Sequence, residues 1–295
     1  KLDFVGNRKK FYALSTIILV VGIVVLSVFK LNLGIDFSQG TRVEIGSDTA
    51  LTQQEVIDYL DEIGFENNDV VISGDEQNMA VMRYKEDFSQ QEVLDFKAQV
   101  NERFGQEPSL STVSATVGKE LAKNAIYALL LAALGIIIYV AVRFEWRMGL
   151  GAIVSLLHDV FFIVVIFSIL RLEVDITFIA AVLTIVGYSI NDTIVTFDRI
   201  RENIDRQEKI TSKEELAVIV NKSLRQTMGR SINTVLTVII VVLALIFLGA
   251  PSIQNFSIAL LIGLVTGIYS SICIAAQVWY SLKCREMDKK GTSVV

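Results

Sequence analysis

Apolar and polar positions alternate along the chain in long blocks. Runs without a single charge occupy 17–29, 125–142 and 231–250, and further apolar stretches predict helices at about 11–29, 124–142, 148–170, 176–197, 231–249 and 256–280. Each is long enough to cross about 30 Å of hydrocarbon. A water-soluble core does not need six such runs, whereas a multi-spanning membrane protein does. The first run has no small-residue cleavage pattern after it and reads as a retained membrane helix rather than a removed signal peptide.

Between the first two runs the pattern changes period. Residues 41–45 alternate as a strand. The segment TQQEVIDYLDEIG (52–64) has Val56, Ile57, Leu60 and Ile63 at helical spacing, with Thr52 and Glu55 as a capping box and Gly64 as its stop. Strands follow at 69–73 and 79–84 around the turn signal Gly74–Asp75. SQQEVLDFKAQVNERFG (89–105) repeats the helix design, with Ser89 and Glu92 capping and Val93, Leu94, Phe96, Val100 and Phe104 apolar. A last strand covers 109–117. The order βαββαβ predicts a ferredoxin-like α+β domain, an arrangement that hosts many functions and settles none. The fold class is therefore an α-helical membrane protein with six transmembrane helices and a small ferredoxin-like extracytoplasmic domain. Its parts are 1–31 (N-terminus and first span), 32–118 (outer domain), 119–282 (spans two to six, with a cytoplasmic loop at about 199–229) and 283–295 (tail).

Charge sets the expected orientation. Of 27 Lys and Arg, 18 fall on one side if the N-terminus is cytoplasmic: Lys1, Arg8, Lys9, Lys10, Arg143, Arg147, eight between Arg199 and Arg230, and Lys283, Arg285, Lys289 and Lys290. Six spans return both basic ends to that side. Residues 32–118 carry five basic and 17 acidic residues, a net charge of −12, which leaves +7 on the remainder. Acidity of the outer domain serves solubility or keeps it off anionic lipid. One histidine and two scattered cysteines, Cys273 and Cys284, support neither a zinc site nor a disulfide framework. No phosphate loop, nucleophile elbow, metal cluster or cofactor motif is present, and nothing points to nucleic acid.

Ionisable groups inside a span cost roughly 2.5–3.5 kcal/mol on insertion scales, so three places stand out. The third span carries His158 and Asp159, with Ser155 and Phe162 on the same face. The fourth carries Asn191 and Asp192, the latter sharing a face with Thr184, Tyr188, Ser189 and Thr196. The fifth opens with Arg230 and Ser231, and Arg230, Asn233, Thr234 and Thr237 share a face at i, i+3, i+4 and i+7. Three polar stripes suggest a polar seam within the bundle; structural hydrogen bonding between helices, and snorkelling of Arg230, are the simpler alternatives. In low dielectric a carboxylate favours its neutral form and a nearby guanidinium its charged form. Motion that changes their separation takes up or releases a proton, and an imidazole one span away is suited to relay it. The candidate proton pathway is Asp192, Arg230, Asn191, His158, Asp159 and Thr234. Leu216, Ile219, Val220 and Leu224 form an amphipathic run that either lies on the membrane surface or packs on other loops. Gly263 and Gly267 make a small-xxx-small step.

Four motifs carry a resemblance: GIDFSQGT (34–41), RMGLGAIVSLLHDV (147–160), VGYSINDTIVTFDRIREN (186–203) and GRSINT (229–234). Together they make the chain similar to the SecF family, the smaller half of the SecD–SecF accessory complex of bacterial protein export, related to the resistance-nodulation-division transporters. Gln39 stands where that family usually has a second glycine. The resemblance implies that Asp192 and Arg230 are associated with proton passage. It also implies the partners: SecD or the SecD half of a fusion, the SecYEG translocon, translocating preprotein, protons and the lipid bilayer. An N-terminal Lys fits either a trimmed SecF or the C-terminal part of a fused protein. The implied function is a non-enzymatic, plasma-membrane export accessory driven by the proton-motive force, without cofactor or metal. The alternative is a proton-driven secondary transporter of a small solute or lipid.

Overall fold

The computed structural model describes residues 3–38, 40–67, 69–74, 76–207 and 209–290. Lys1, Gln39, Asp75 and the tail beyond Lys290 lie outside the described residues. Ten helices are seen among those described: α1 (Arg8–Phe29), α2 (Ile35–Ser38), α3 (Gln53–Glu62), α4 (Gln90–Phe104), α5 (Ala115–Arg143), α6 (Trp146–Ile169), α7 (Ile176–Asp205), α8 (Lys213–Leu248), α9 (Gln254–Ser270) and α10 (Ala276–Lys290). The strands are β1 (Asn32–Leu33), β2 (Gly40–Gly46), β3 (Val70–Ser73), β4 (Met79–Tyr84), β5 (Ser109–Val113) and β6 (Glu173–Val174). The chain divides into two compact units, Leu33–Tyr127 and the combination of Lys1–Asn32 with Ala128–Val295.

In the smaller unit four strands form an antiparallel sheet in the order β3-β4-β2-β5. The central pairing sets Val43 opposite Met82 and Ile45 opposite Ala80, and all four are buried. Alternation puts them on one face, where α3 brings Val56 and Leu60 and α4 brings Phe96, Val100 and Phe104. Those three α4 positions fix the inward line. Leu94, about 200° from Phe96 around the helix, is turned out and exposed, contrary to the sequence grouping.

The caps differ in completeness. Ser89 accepts from the Glu92 N–H at 3.3 Å, and the Glu92 carboxylate accepts from the Ser89 N–H at 2.7 Å. Thr52 makes only the first of these bonds, to the Glu55 N–H. The Ser89 side chain, then its N–H, holds the Glu92 carboxyl below its ordinary range. That contribution is present at neutral pH and fades as pH falls through the lowered pKa. Gly105 ends α4 in the left-handed region at φ +74°.

Among the described residues six helices are long and apolar enough to cross a membrane, so the larger unit is a membrane bundle. Four boundaries differ most from the sequence reading, one being the end of the last span, expected at about 280, where α10 continues to Lys290. α5 begins at Ala115, so 115–117 are helical rather than strand. α7 continues to Asp205 and α8 starts at Lys213, which shrinks the expected loop of about 199–229 to 206–212. The amphipathic run explains the shorter loop: Leu216, Ile219, Val220 and Leu224 are buried with Phe197, Ile200, Ile210 and Trp279. They pack on the bundle instead of lying on a membrane surface, and that contact extends both helices.

Close helix packing rests on glycine. A Cβ added at Gly263 would fall 2.3 Å from the Ile185 side chain, and one at Gly151 would fall 2.7 Å from the Ala275 carbonyl oxygen. α9 therefore lies flush against α7, and α6 against the segment joining α9 to α10. Gly263→Val is expected to destabilise the bundle by about 1–3 kcal/mol, read as a lower melting temperature of the detergent-purified protein. Ser89→Ala is expected to cost the smaller unit about 1 kcal/mol, read as faster hydrogen exchange in α4.

Candidate functional site

The buried polar residues of the bundle gather where α6, α7 and α9 meet. Asp159 of α6 is 1% exposed. Its Oδ2 accepts the Ser189 hydroxyl of α7 at 2.6 Å and the Ser270 hydroxyl of α9 at 2.7 Å. Its Oδ1 has no hydrogen-bond partner and faces His158 Nδ1 at 3.6 Å. On a neighbouring turn of α7, the Thr193 hydroxyl shares a 3.0 Å hydrogen bond with the Ser271 hydroxyl.

Ser270 and Ser271 are consecutive, yet both point into the seam. The chain makes this possible with a π-helical turn, Ser271–Ala275, between α9 and α10. A wide turn of this kind changes the rotation per residue, and such turns concentrate at functional sites. The Gln277 side-chain amide donates to the Ile272 carbonyl at 3.2 Å and so pairs one backbone oxygen of that turn.

Asp192 sits on the adjoining face of α7, half-buried. Ser231 of α8 donates a short hydrogen bond to its Oδ1. Oδ2 is buried without a hydrogen-bond partner. Ser271 lies within reach of this carboxylate, but its hydrogen bond goes to Thr193. Arg230 bears on Asp192 through space, and no ion pair joins the two among the described residues.

The structure thus divides the sequence candidates. Asp159, His158 and Asp192 line the seam. Asn191, Arg230 and Thr234 are exposed, as are Asn233 and Thr237. The reason is rotational. The inward line of α8 runs through Leu224, Thr227, Ser231 and Val235, and at 100° per residue the Arg230 stripe lies roughly a quarter turn or more away. Ser270 and Ser271 escaped the sequence reading; an adjacent serine pair four residues from Gly267 in an apolar span was the available signal. A Cβ at Gly267 would meet Ser189 at 3.6 Å.

At the end of the bundle near the N-terminal residues, charges pair. Arg147 binds Glu286 at 3.0 Å and also Glu145, while Lys283 binds Glu145 at 3.2 Å and Glu286 at 3.4 Å. Asp198 joins Arg143 at 3.1 Å and Arg201 at 3.0 Å. Asn221 of α8 accepts from the Phe4 and Val5 N–H groups and donates to Asp3. The Gly6 N–H, then Asn221, holds the Asp3 carboxyl below its ordinary range. Among the described residues no group of His, Cys, Asp and Glu is placed to hold a metal ion.

Residues 94–285 match the family model described as protein export membrane protein SecD/SecF, C-terminal. The chain is 42% identical to the protein translocase subunit SecF of Alicyclobacillus acidocaldarius, over 98% of this chain and 95% of that one. It belongs to the SecD/SecF family. This SecD/SecF member is also 54% identical to the protein translocase subunit SecDF of Bacillus subtilis, over 98% of this chain but 39% of that one. The crystal structure of SecDF from Thermus thermophilus is similar at a TM-score of 0.84 and 32% identity, covering 96% of this chain and 39% of that one. The chain thus spans about two-fifths of these SecDF proteins. The six apolar helices among the described residues, in a chain of this family, make this member a multi-pass membrane protein.

Asp159→Leu leaves the buried Ser189 hydroxyl without its acceptor, while Ser270 keeps the Gly267 carbonyl at 3.2 Å, and is expected to destabilise the bundle by about 1–3 kcal/mol. Asp159→Asn keeps an accepting oxygen and should fall well short of that, both measured by thermal unfolding in detergent.

Proposed function

We propose that the chain is an accessory subunit of the Sec protein-export machinery, coupling proton flow across the membrane to late steps of preprotein translocation. Asp192 takes up and releases the proton, and Arg230 is the charge that biases it. The observation that carries this reading is the state of Asp192: one oxygen tied to Ser231, the other buried and unpaired, and a guanidinium nearby but unbonded. A carboxylate so placed has an incomplete set of partners, and movement of α8 against α7 changes that set. One charge crossing 100 mV supplies about 2.3 kcal/mol, enough to bias a two-state movement roughly fiftyfold.

The names of the relatives, protein translocase subunit SecF and SecDF, support an export role rather than small-solute transport. In this reading the chain acts without covalent catalysis, beside a SecD half, on preprotein emerging from SecYEG. Asn191 and Thr234, which are exposed, contribute polar surface beside the path. The distribution of basic residues supports cytoplasmic termini, with 32–118 on the outer face and 283–295 as the cytoplasmic tail.

Asp192→Asn and Arg230→Met should each slow proton-driven export of a secretory precursor into inverted membrane vesicles by at least about tenfold, in membranes carrying normal amounts of the chain and its SecD half. Parental export by both variants overturns the reading. So does normal export accompanied by accumulation of a small solute.

A further inference from the structure

Besides Ser155 Oγ, three polar atoms in the middle of α6 are buried without a hydrogen-bond partner: Nδ1 and Nε2 of His158 and Oδ1 of Asp159. Buried polar groups are nearly always paired, so orphans call for a reason. These orphans lie together. His158 Nδ1 and Asp159 Oδ1 are 3.6 Å apart, beyond hydrogen-bond length but within reach of a small ring rotation.

The other side of the imidazole supplies the reason. His158 lines two cavities that flank α1. One, of about 730 Å³, lies against α6 and α10 and is bordered by Tyr12, Ser15 and Val278. The other, of about 450 Å³, lies against α6 and α9 and is bordered by Ile18, Phe162 and Tyr269. The Tyr269 ring is 5.9 Å from the imidazole, centre to centre. Its hydroxyl meets Ser15 Oγ at 3.3 Å and donates to the Phe11 carbonyl at 3.3 Å. Further along α1, Tyr12 shares a 3.0 Å hydrogen bond with Ser281. Polar groups therefore mark the α1 seam from His158 towards the end that carries Arg8 and Arg285.

We propose that Asp159 and His158 form a second proton-binding pair, separate from Asp192, that exchanges with water along the α1 seam past Tyr269, Ser15 and Tyr12. The inference rests on the proton-coupled reading above and adds a second site to it. In the transfer, the Asp159 Oδ1–H bond breaks and an Nδ1–H bond forms, giving a carboxylate and an imidazolium. Ser189 and Ser270 keep the carboxylate hydrogen-bonded throughout. The imidazolium then releases its Nε2 proton to a water in the groove, which becomes hydronium; in the reverse step a hydronium protonates Nε2, the Nδ1–H bond breaks and the Asp159 Oδ1–H bond re-forms. The titratable and charged groups facing this pair are Tyr269 of α9, Tyr12 of α1 with Arg8 and Arg285 near it, and Cys273 of the π-turn close to Tyr269. Asp192 faces Ser231 of α8 instead.

The test uses inverted membrane vesicles holding the full chain with its SecD half under an imposed proton gradient. Precursor export is followed while pH on the side of the N-terminus is varied across the neutral range. H158Q should flatten the pH profile, and D159N should cut proton-driven export by at least about tenfold. D159N preserves an acceptor for Ser189 and Ser270, so loss of fold does not explain its defect. Infrared difference spectra between acid and alkaline pH should lose a carboxyl band in D159N and keep it in D192N. Parental export with a parental pH profile in both H158Q and D159N, or a carboxyl band unchanged by D159N, overturns the pair. If D192N alone stops proton-driven export, the pair falls and the Asp192 reading stands; if neither aspartate variant has an effect, both fall.

Discussion

A carboxylate inside an apolar bundle has to be paid in hydrogen bonds, and the centre of this molecule is arranged around that requirement. Asp159 takes two hydroxyls on a single oxygen, one from α7 and one from α9. Those bonds fix where the two helices stand on α6. The glycines at 151 and 263 then follow, because helices joined through short serine side chains approach too closely for larger residues at those contacts. The π-turn follows as well. It sits where the chain presents one serine to Asp159 and the next to Thr193.

Asp192 is held differently. Its bond to Ser231 belongs to a single neighbouring helix, and its second oxygen is left over. One aspartate is bonded into three helices and the other into two. That contrast separates a fixed centre from an adjustable flank within a few turns of the same helix, α7.

What was legible in the sequence follows from which signals are long. Six apolar runs cannot be hidden, and the alternation of residues 41–45 together with the Ser89 and Glu92 cap wrote the smaller unit plainly. The buried aspartates were legible because their cost is large. Partners were not. Ser231, Ser270 and Ser271 are small and nearly neutral in hydropathy, so no periodicity announces which side they face. The facing of α8 was misread for the same reason. Its most polar stripe, from Arg230 to Thr237, looked like the seam, while packing of Leu224, Thr227 and Val235 turned Ser231 inward instead. Helix length was misread where burial came from protein rather than lipid, as at Leu216 and Val220.

The length of α8 has a mechanical consequence. Thirty-six residues in one unbroken helix extend about 54 Å, well beyond the roughly 30 Å that hydrocarbon requires. The surplus is clamped at the basic end by Leu216, Ile219 and Leu224 among Phe197, Ile200 and Trp279. A continuous helix conveys tilt with little slack. Were the Ser231 region displaced with that clamp held, the far end of α8 would sweep through the larger arc.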